Sequence, residues 1–342
     1  MSVKLKPLAE QVIVITGASS GIGLTTARQA ARAGARVLLV ARSGDTLAEI
    51  VAEIAAQGGE ADYAVADVGD GAQVRAAAEK AVARWGRIDS WVNDAGMVIY
   101  AKLIDTPEDD HRRLFETNYW GVVHGCLTAV EHLRENGGAI VTVGSIASDM
   151  PTPILSAYSA SKYASKGFFE SLRIELTADK LPISLSLVKP SGIDTPIGQH
   201  AANHAGKDGQ EAGEALAPPP VYTPELVADA ILFCCTHPKR EIIVGGSGRV
   251  QTLFAQHFKG LYEKLAPLGI PLFTDPNREQ PPTNLWRGEV NTGRERSGIR
   301  MPLPFSLYTS AAKRPVTTAA LIGGALAGAA ALRARRLSTA RR

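Results

Sequence analysis

The chain has 342 residues, enough for one large α/β domain with an appendage but too few for two full-size domains beside it. Hydrophobic residues at 45% against 21% charged exclude disorder of the whole chain. The formal net charge of +3 gathers in the last thirty residues, where Lys313, Arg314, Arg333, Arg335, Arg336, Arg341 and Arg342 face no acid. The body therefore lacks the basic face that nucleic-acid binding requires.

Met1–Glu10 carries no apolar run of signal-peptide length, and Cys126, Cys234 and Cys235 make no disulfide framework, so a reducing, cytoplasmic setting is expected. From residue 11 to about 245, apolar runs of strand length alternate with longer stretches of helical period. Strands are predicted at 11–15, 36–40, 61–65, 88–92, 139–143, 183–188 and 241–244. Helices are predicted at 22–33, 45–57, 70–85, 107–134, 156–179 and 224–236, the last with a Thr223 cap and Pro224 at its first position. The alternation predicts an α/β fold over residues 1–248: a Rossmann-type, doubly wound parallel sheet of seven strands with helices on both faces.

Within that domain the insert 193–222, with consecutive prolines 218 to 220 and little periodicity, reads as a lid or binding loop over a substrate. A C-terminal extension, 249–312, has helical period over Val250–Leu265 and is then interrupted by Pro276, Pro281, Pro282 and Gly293; it is expected to be partly ordered. In the tail, 313–342, the run Val316–Leu332 is 17 uncharged residues bracketed by basic ones, with Gly324 and Gly328 in G-x-x-x-G spacing. Seventeen is the lower bound for a membrane span, and Ala and Gly partition weakly, so a membrane contact and a surface-packed alanine helix both fit.

Directly after the first strand, Thr16, Gly17, Ala18, Ser19, Ser20, Gly21, Ile22 and Gly23 lead straight into a helix. Glycines there permit a tight turn and close approach to a pyrophosphate, whose charge meets free N–H groups and the positive end of the helix. The strand before and the helix after make this a dinucleotide site. The second strand ends Ala41-Arg42-Ser43 with no acid to repel a 2′-phosphate, and Arg42 offers a planar fork with Ser43 adding a hydroxyl, so NADP(H) is expected over NAD(H). Asp67 and Val68 end the third strand, placed to reach the adenine. Asn93, Ala95 and Gly96 end the fourth beside the central crevice.

Tyr158 and Lys162 lie four residues apart on one helical face. An adjacent ammonium stabilises a phenolate and is expected to draw the tyrosine pKa down from about 10. Ser145 closes the fifth strand at the carboxyl edge, where ligands bind in such sheets. With the Thr16-to-Gly23 loop, Asp67, Asn93-x-Ala95-Gly96, Asn118, Ser145, Tyr158-x-x-x-Lys162 and Pro190 to Thr195 in order, residues 8–247 resemble a short-chain dehydrogenase/reductase of the roughly 250-residue single-domain type.

The resemblance implies interconversion of a carbonyl and an alcohol by hydride transfer, with Tyr158 exchanging a proton with the substrate oxygen and Ser145 polarising it. It also implies that Lys162 binds the nicotinamide ribose, that Asn118 holds a water in a proton relay, and that Pro190, Ile193 and Thr195 grip the carboxamide. It further implies a homodimer or homotetramer packed through the helices at 107–134 and 156–179. Two positions depart from the family pattern: Asp94 stands for an asparagine, and Ser191 displaces the usual glycine to Gly192. Neither touches a proton-transfer group. His200 and His204 are an i, i+4 pair without a third ligand in pattern, so no metal is expected. A non-catalytic, dinucleotide-binding regulatory protein or membrane-tethered scaffold is the alternative, and the intact Asn118, Ser145, Tyr158 and Lys162 set weighs against it.

Overall fold

Val12, Ile13, Val14 and Ile15 leave no polar face, so a strand made of them has to be covered on both sides. The computed structural model, which describes residues 3–206, 213–288, 293–314 and 318, shows that arrangement. In chain order it has β1 (Val12–Thr16), α1 (Gly21–Arg32), β2 (Arg36–Ala41), α2 (Gly44–Ala56), β3 (Glu60–Val65), α3 (Gly71–Trp85) and β4 (Ser90–Asn93). A short β5 (Ile99–Tyr100), α4 (Glu108–Phe115), α5 (Gly121–Leu133), β6 (Gly138–Val143), α6 (Ser156–Ala178) and β7 (Ile183–Pro190) follow. The insert holds β8 (Ala202–Asn203) and β9 (Gly213–Ala215), before α7 (Pro224–Thr236) and β10 (Glu241–Val244). The extension supplies α8 (Gly246–His257), α9 (Lys259–Leu265), β11 (Thr274–Glu279) and α10 (Leu307–Lys313).

Seven strands pair in parallel in the order β10-β7-β6-β4-β1-β2-β3. The period of two divides the buried side chains between the faces. Ile13, Ile15, Val37 and Leu39 meet α1, α2 and α7 on one side, whereas Val14, Leu38, Val40 and Trp91 meet α3, α5 and α6 on the other. From β1 the chain steps outward to β2, and from β4 it steps the opposite way to β6. The strand order therefore reverses between β1 and β4, and a crevice opens beyond their carboxyl ends.

The predicted single helix over 107–134 is interrupted: Glu116–Trp120 forms a π turn between α4 and α5. Asn118 in that turn bonds the backbone of Met97 in both directions, its Oδ1 accepting from the amide at 2.8 Å and its Nδ2 donating to the carbonyl at 2.9 Å. The predicted helix of 250–265 likewise breaks at Phe258, whose φ of −121° and ψ of 48° leave the helical region.

The breakers do not free the extension: Pro276 lies within β11, where the register shifts, and backbone pairing docks the chain on the domain. Asn284 N donates to His200 O, Leu303 N to Val221 O and Thr223 N to Leu303 O, and β11 pairs with β9 of the insert. Leu285 is buried against Leu114, and Phe273 against Tyr100. The apolar run 316–332, apart from Thr318, lies outside the described residues.

Candidate active site in the crevice

A cavity of about 290 Å³ runs along the carboxyl edge of the sheet. One end is built from the glycine loop. Gly17 has φ +71°, and a side chain there would meet the Ala95 backbone at 2.8 Å; one at Gly23 would meet Gly17 O at 2.4 Å. Thr16 lies behind the loop and holds it, its hydroxyl donating to Val92 O and accepting from the amides of Asp94 and Ala95. Gly17, Ser19, Ser20, Gly21 and Ile22 line the cavity, and α1 begins there with no acid in its first turn. A positive helix end against bare backbone fits a pyrophosphate.

Arg42, Ser43, Asp67 and Val68 line the far end. The extension reaches them, a contact that no spacing in the sequence announces. Arg42 donates to the carbonyls of Asn284 (2.6 Å) and Leu285 (3.4 Å), and Ser43 Oγ donates to Gly288 O. Farther along, Gly293 N donates to Ser19 O and Gly21 N to Arg294 O, each at 2.8 Å. Residues 284–288 and 293–294 thus strap both the arginine and the glycine loop. The Asp67 carboxylate is paired with the buried Arg113, which also bonds Glu116 and Leu285 O. Arg113 was missed in the sequence because only the fold brings α4 beside β3.

Ala95 and Gly96 line the centre of the cavity, but Asn93 turns inward. Its amide accepts from Trp91 Nε1 at 2.8 Å and donates to Thr142 Oγ1 and Cys126 Sγ, which makes it a buried cross-strand tie. Pro190, Ile193 and Thr195 line the cavity. The displaced Gly192 is needed where it stands, because a Cβ would meet Pro218 O at 2.8 Å.

Ser145, Tyr158 and Lys162 converge on the near end, with Asn118 just behind them. Lys162 Nζ donates to Val143 O at 3.1 Å and lies 5.7 Å from the Tyr158 ring centre. Asn118 spends both Nδ2 hydrogens on Met97 O and Ser161 Oγ, and its carbonyl accepts from Ser165 Oγ at 2.6 Å.

The expectation of a lowered tyrosine pKa is corrected here. Burial pushes Tyr158 up to about 12, against the pull of its hydrogen bond to Ser145, and the Asp94 carboxylate adds to the rise. Burial also lowers Lys162 to about 8, with Asp94 opposing. Asp94 itself is pushed up to about 7 by burial, against Lys162 and the Gly23 N–H. The departure from asparagine at position 94 therefore does act on both proton-transfer groups, contrary to the sequence reading.

The remaining wall is mostly apolar. Met150 and Leu155 come from the loop between β6 and α6, Ile197 and Pro220 from the insert, and Gln251 and Phe273 from the extension. Among the described residues no group of three His, Cys, Asp or Glu side chains lies where it could hold a metal ion; His204 Nε2 is 2.9 Å from Asp110 Oδ2.

Comparison with known proteins agrees with this architecture. The family model for the short chain dehydrogenase matches residues 11–206. An uncharacterized oxidoreductase of Bacillus subtilis, YxnA, is 39% identical over 340 residues, covering 97% of this chain and 93% of its own. A short chain dehydrogenase/reductase from Burkholderia phymatum, solved with NAD, is 24% identical, covers 75% of this chain and 96% of its own, and superposes with a TM-score of 0.68. An alcohol dehydrogenase from Thermococcus sibiricus, solved with 5-hydroxy-NADP, is 27% identical with a TM-score of 0.59, covering 68% and 95%. The matched family model spans more than half the chain and the Bacillus relative aligns nearly end to end, so this chain belongs to the short chain dehydrogenase family and is an oxidoreductase.

Proposed function

We propose that the protein is an NADP(H)-dependent oxidoreductase that interconverts a carbonyl and an alcohol. The observation that carries this reading is one continuous cavity with Ser145, Tyr158 and Lys162 at one end and, at the other, Arg42 and Ser43 where β2 ends without an acid, the nearby Asp67 being paired with Arg113. The Burkholderia relative was solved with NAD and the Thermococcus one with 5-hydroxy-NADP, so the preference rests on Arg42 and Ser43 rather than on the relatives. Arg42 has five donors and gives two bonds to the strap, so donors remain for a 2′-phosphate.

When bound, the nicotinamide supplies or accepts the hydride at the reacting carbon. Tyr158, protonated at neutral pH because burial raises it, gives its proton to the carbonyl oxygen in reduction and takes it back in oxidation. Ser145, hydrogen-bonded to Tyr158, steadies that oxygen while charge builds on it. Lys162, fixed by Val143 O, holds positive charge beneath the phenol.

Oxidation of NADPH and NADH by the full-length protein against aldehydes, ketones and diketones tests the proposal. Turnover preferring NADPH is expected; tight coenzyme binding with no turnover on any carbonyl favours the regulatory alternative. Exposed apolar residues on α5 and α6, Leu127, Tyr163 and Ile174, support assembly as a homodimer or homotetramer through those helices.

A further inference from the structure

Of twenty exposed large apolar side chains among the described residues, twelve lie from Val250 to Leu307, a stretch that is about a sixth of the chain. Phe258, Leu261, Leu265, Leu268 and Leu272 recur at spacings of three and four and make an apolar face that runs from the break at Phe258 through α9 and the 3-10 turns of Ala266–Leu272. Here that face points outward, each residue being 45–75% exposed. Tyr262 on the opposite side packs on the Ile146–Met150–Ile243 cluster and donates to Pro151 O at 2.5 Å. A helix that only had water outside it would turn its leucines in.

A second apolar run adjoins the first. Arg300 Nη2 donates to Leu272 O at 3.1 Å, and from there Met301, Leu303, Phe305 and Leu307 are 43–96% exposed. The first run borders the substrate end of the cavity, because Gln251 in α8 and Phe273 just after Leu272 line it.

The charges on these two segments are predominantly basic. Residues 246–272 hold Arg249, Lys259 and Lys264 against the single acid Glu263, and 300–314 hold Arg300, Lys313 and Arg314 with no acid. Asp229 pairs with Lys313 from α7. The chain then continues into the uncharged run 316–332 and five further arginines. A second copy mated through this face by a two-fold axis would bring the basic borders together, whereas anionic lipid complements them. Among the described residues no helix is long and apolar enough to cross a membrane, so the contact lies in the plane of the surface.

We propose that the outward face of 250–272 and 301–307 seats on an anionic phospholipid surface, and that the substrate is an apolar carbonyl or alcohol entering the cavity from the lipid. The substrate half rests on the reductase reading above; the lipid half does not.

The test is flotation of the full-length protein with phosphatidylcholine vesicles, with and without about one part in four of phosphatidylglycerol. Co-flotation with the anionic vesicles, weakened by salt, is expected. Leu261→Asp with Leu268→Asp, both at exposed positions, should lower the bound fraction at least about tenfold. The same variant should raise KM for a vesicle-borne long-chain aldehyde and leave KM for a short water-soluble aldehyde unchanged, a control that also reports the fold. Lys259→Glu with Lys264→Glu should remove the preference for anionic vesicles. Flotation unaltered by both variants overturns the proposal, as does a fall in oligomer mass in the leucine variant, which would assign the face to a second copy. Flotation that behaves as expected while no aldehyde is turned over retains the lipid site and rejects the reductase reading.

Discussion

At the scale of single residues the proposed proton transfer turns on Tyr158. Its replacement by phenylalanine keeps the ring in place and removes the only proton proposed to move. Tyr158→Phe should lower kcat by roughly 10²–10⁴ with coenzyme affinity within a factor of about three, measured by steady-state turnover and coenzyme fluorescence. Asp94 is the residue whose effect the sequence did not disclose. Ser145, Tyr158 and Lys162 were legible because their spacing and strand context are local, but the influence of Asp94 on Tyr158 and Lys162 arises from shared burial between the ends of β4 and β6 and the start of α6. With the Asp94 pKa raised to about 7, the folded state holds a proton that the unfolded chain releases near 4, so ionisation opposes folding as pH rises between those values. Asp94→Asn should therefore add on the order of 1–3 kcal/mol of stability at pH 8 and little at pH 4, read from denaturant unfolding at the two pH values. The same variant removes a charge that raises Tyr158, so the alkaline limb of the pH–rate profile should move to lower pH.

At the scale of elements, the seven strands and the helices between them were readable from periodicity, since each strand is a short apolar run and each long helix shows one apolar face. The π turn at Glu116–Trp120 was not, because its cause is the pairing of Asn118 with Met97, twenty-one residues away. The strap was hidden for the same kind of reason: it docks by backbone carbonyls, which carry no sequence signature. Two changes probe the end of the crevice that the strap covers. Arg42→Asp should reduce the NADPH to NADH ratio of kcat/KM by about 10² or more, and an unchanged ratio would remove Arg42 from the phosphate site. Gly288 lies so close to Arg42 that a Cβ would meet the Arg42 Cβ at 2.4 Å. Gly288→Val should push the strap outward and speed coenzyme release about tenfold, seen by stopped-flow fluorescence, with little change in the rate of hydride transfer.

At the scale of the whole molecule, one sheet edge gathers the coenzyme crevice, the insert and the extension, and the extension carries the apolar face beside the cavity mouth. Composition, periodicity and the ordered motifs by themselves determined the Rossmann-type fold and the glycine loop, and they pointed to Ser145, Tyr158 and Lys162 as the proposed reacting set. Those features are local: strand hydrophobicity, helical spacing and turn glycines act within a few residues of one another. Only the tertiary structure decided that Asn93 ties strands together, that Asp67 is paired with Arg113, that Arg42 meets the strap, and that burial outweighs the Ser145 hydrogen bond at Tyr158. It also decided which side of α9 faces out, because an amphipathic pattern identifies an apolar face and leaves its direction to the neighbours the helix finds.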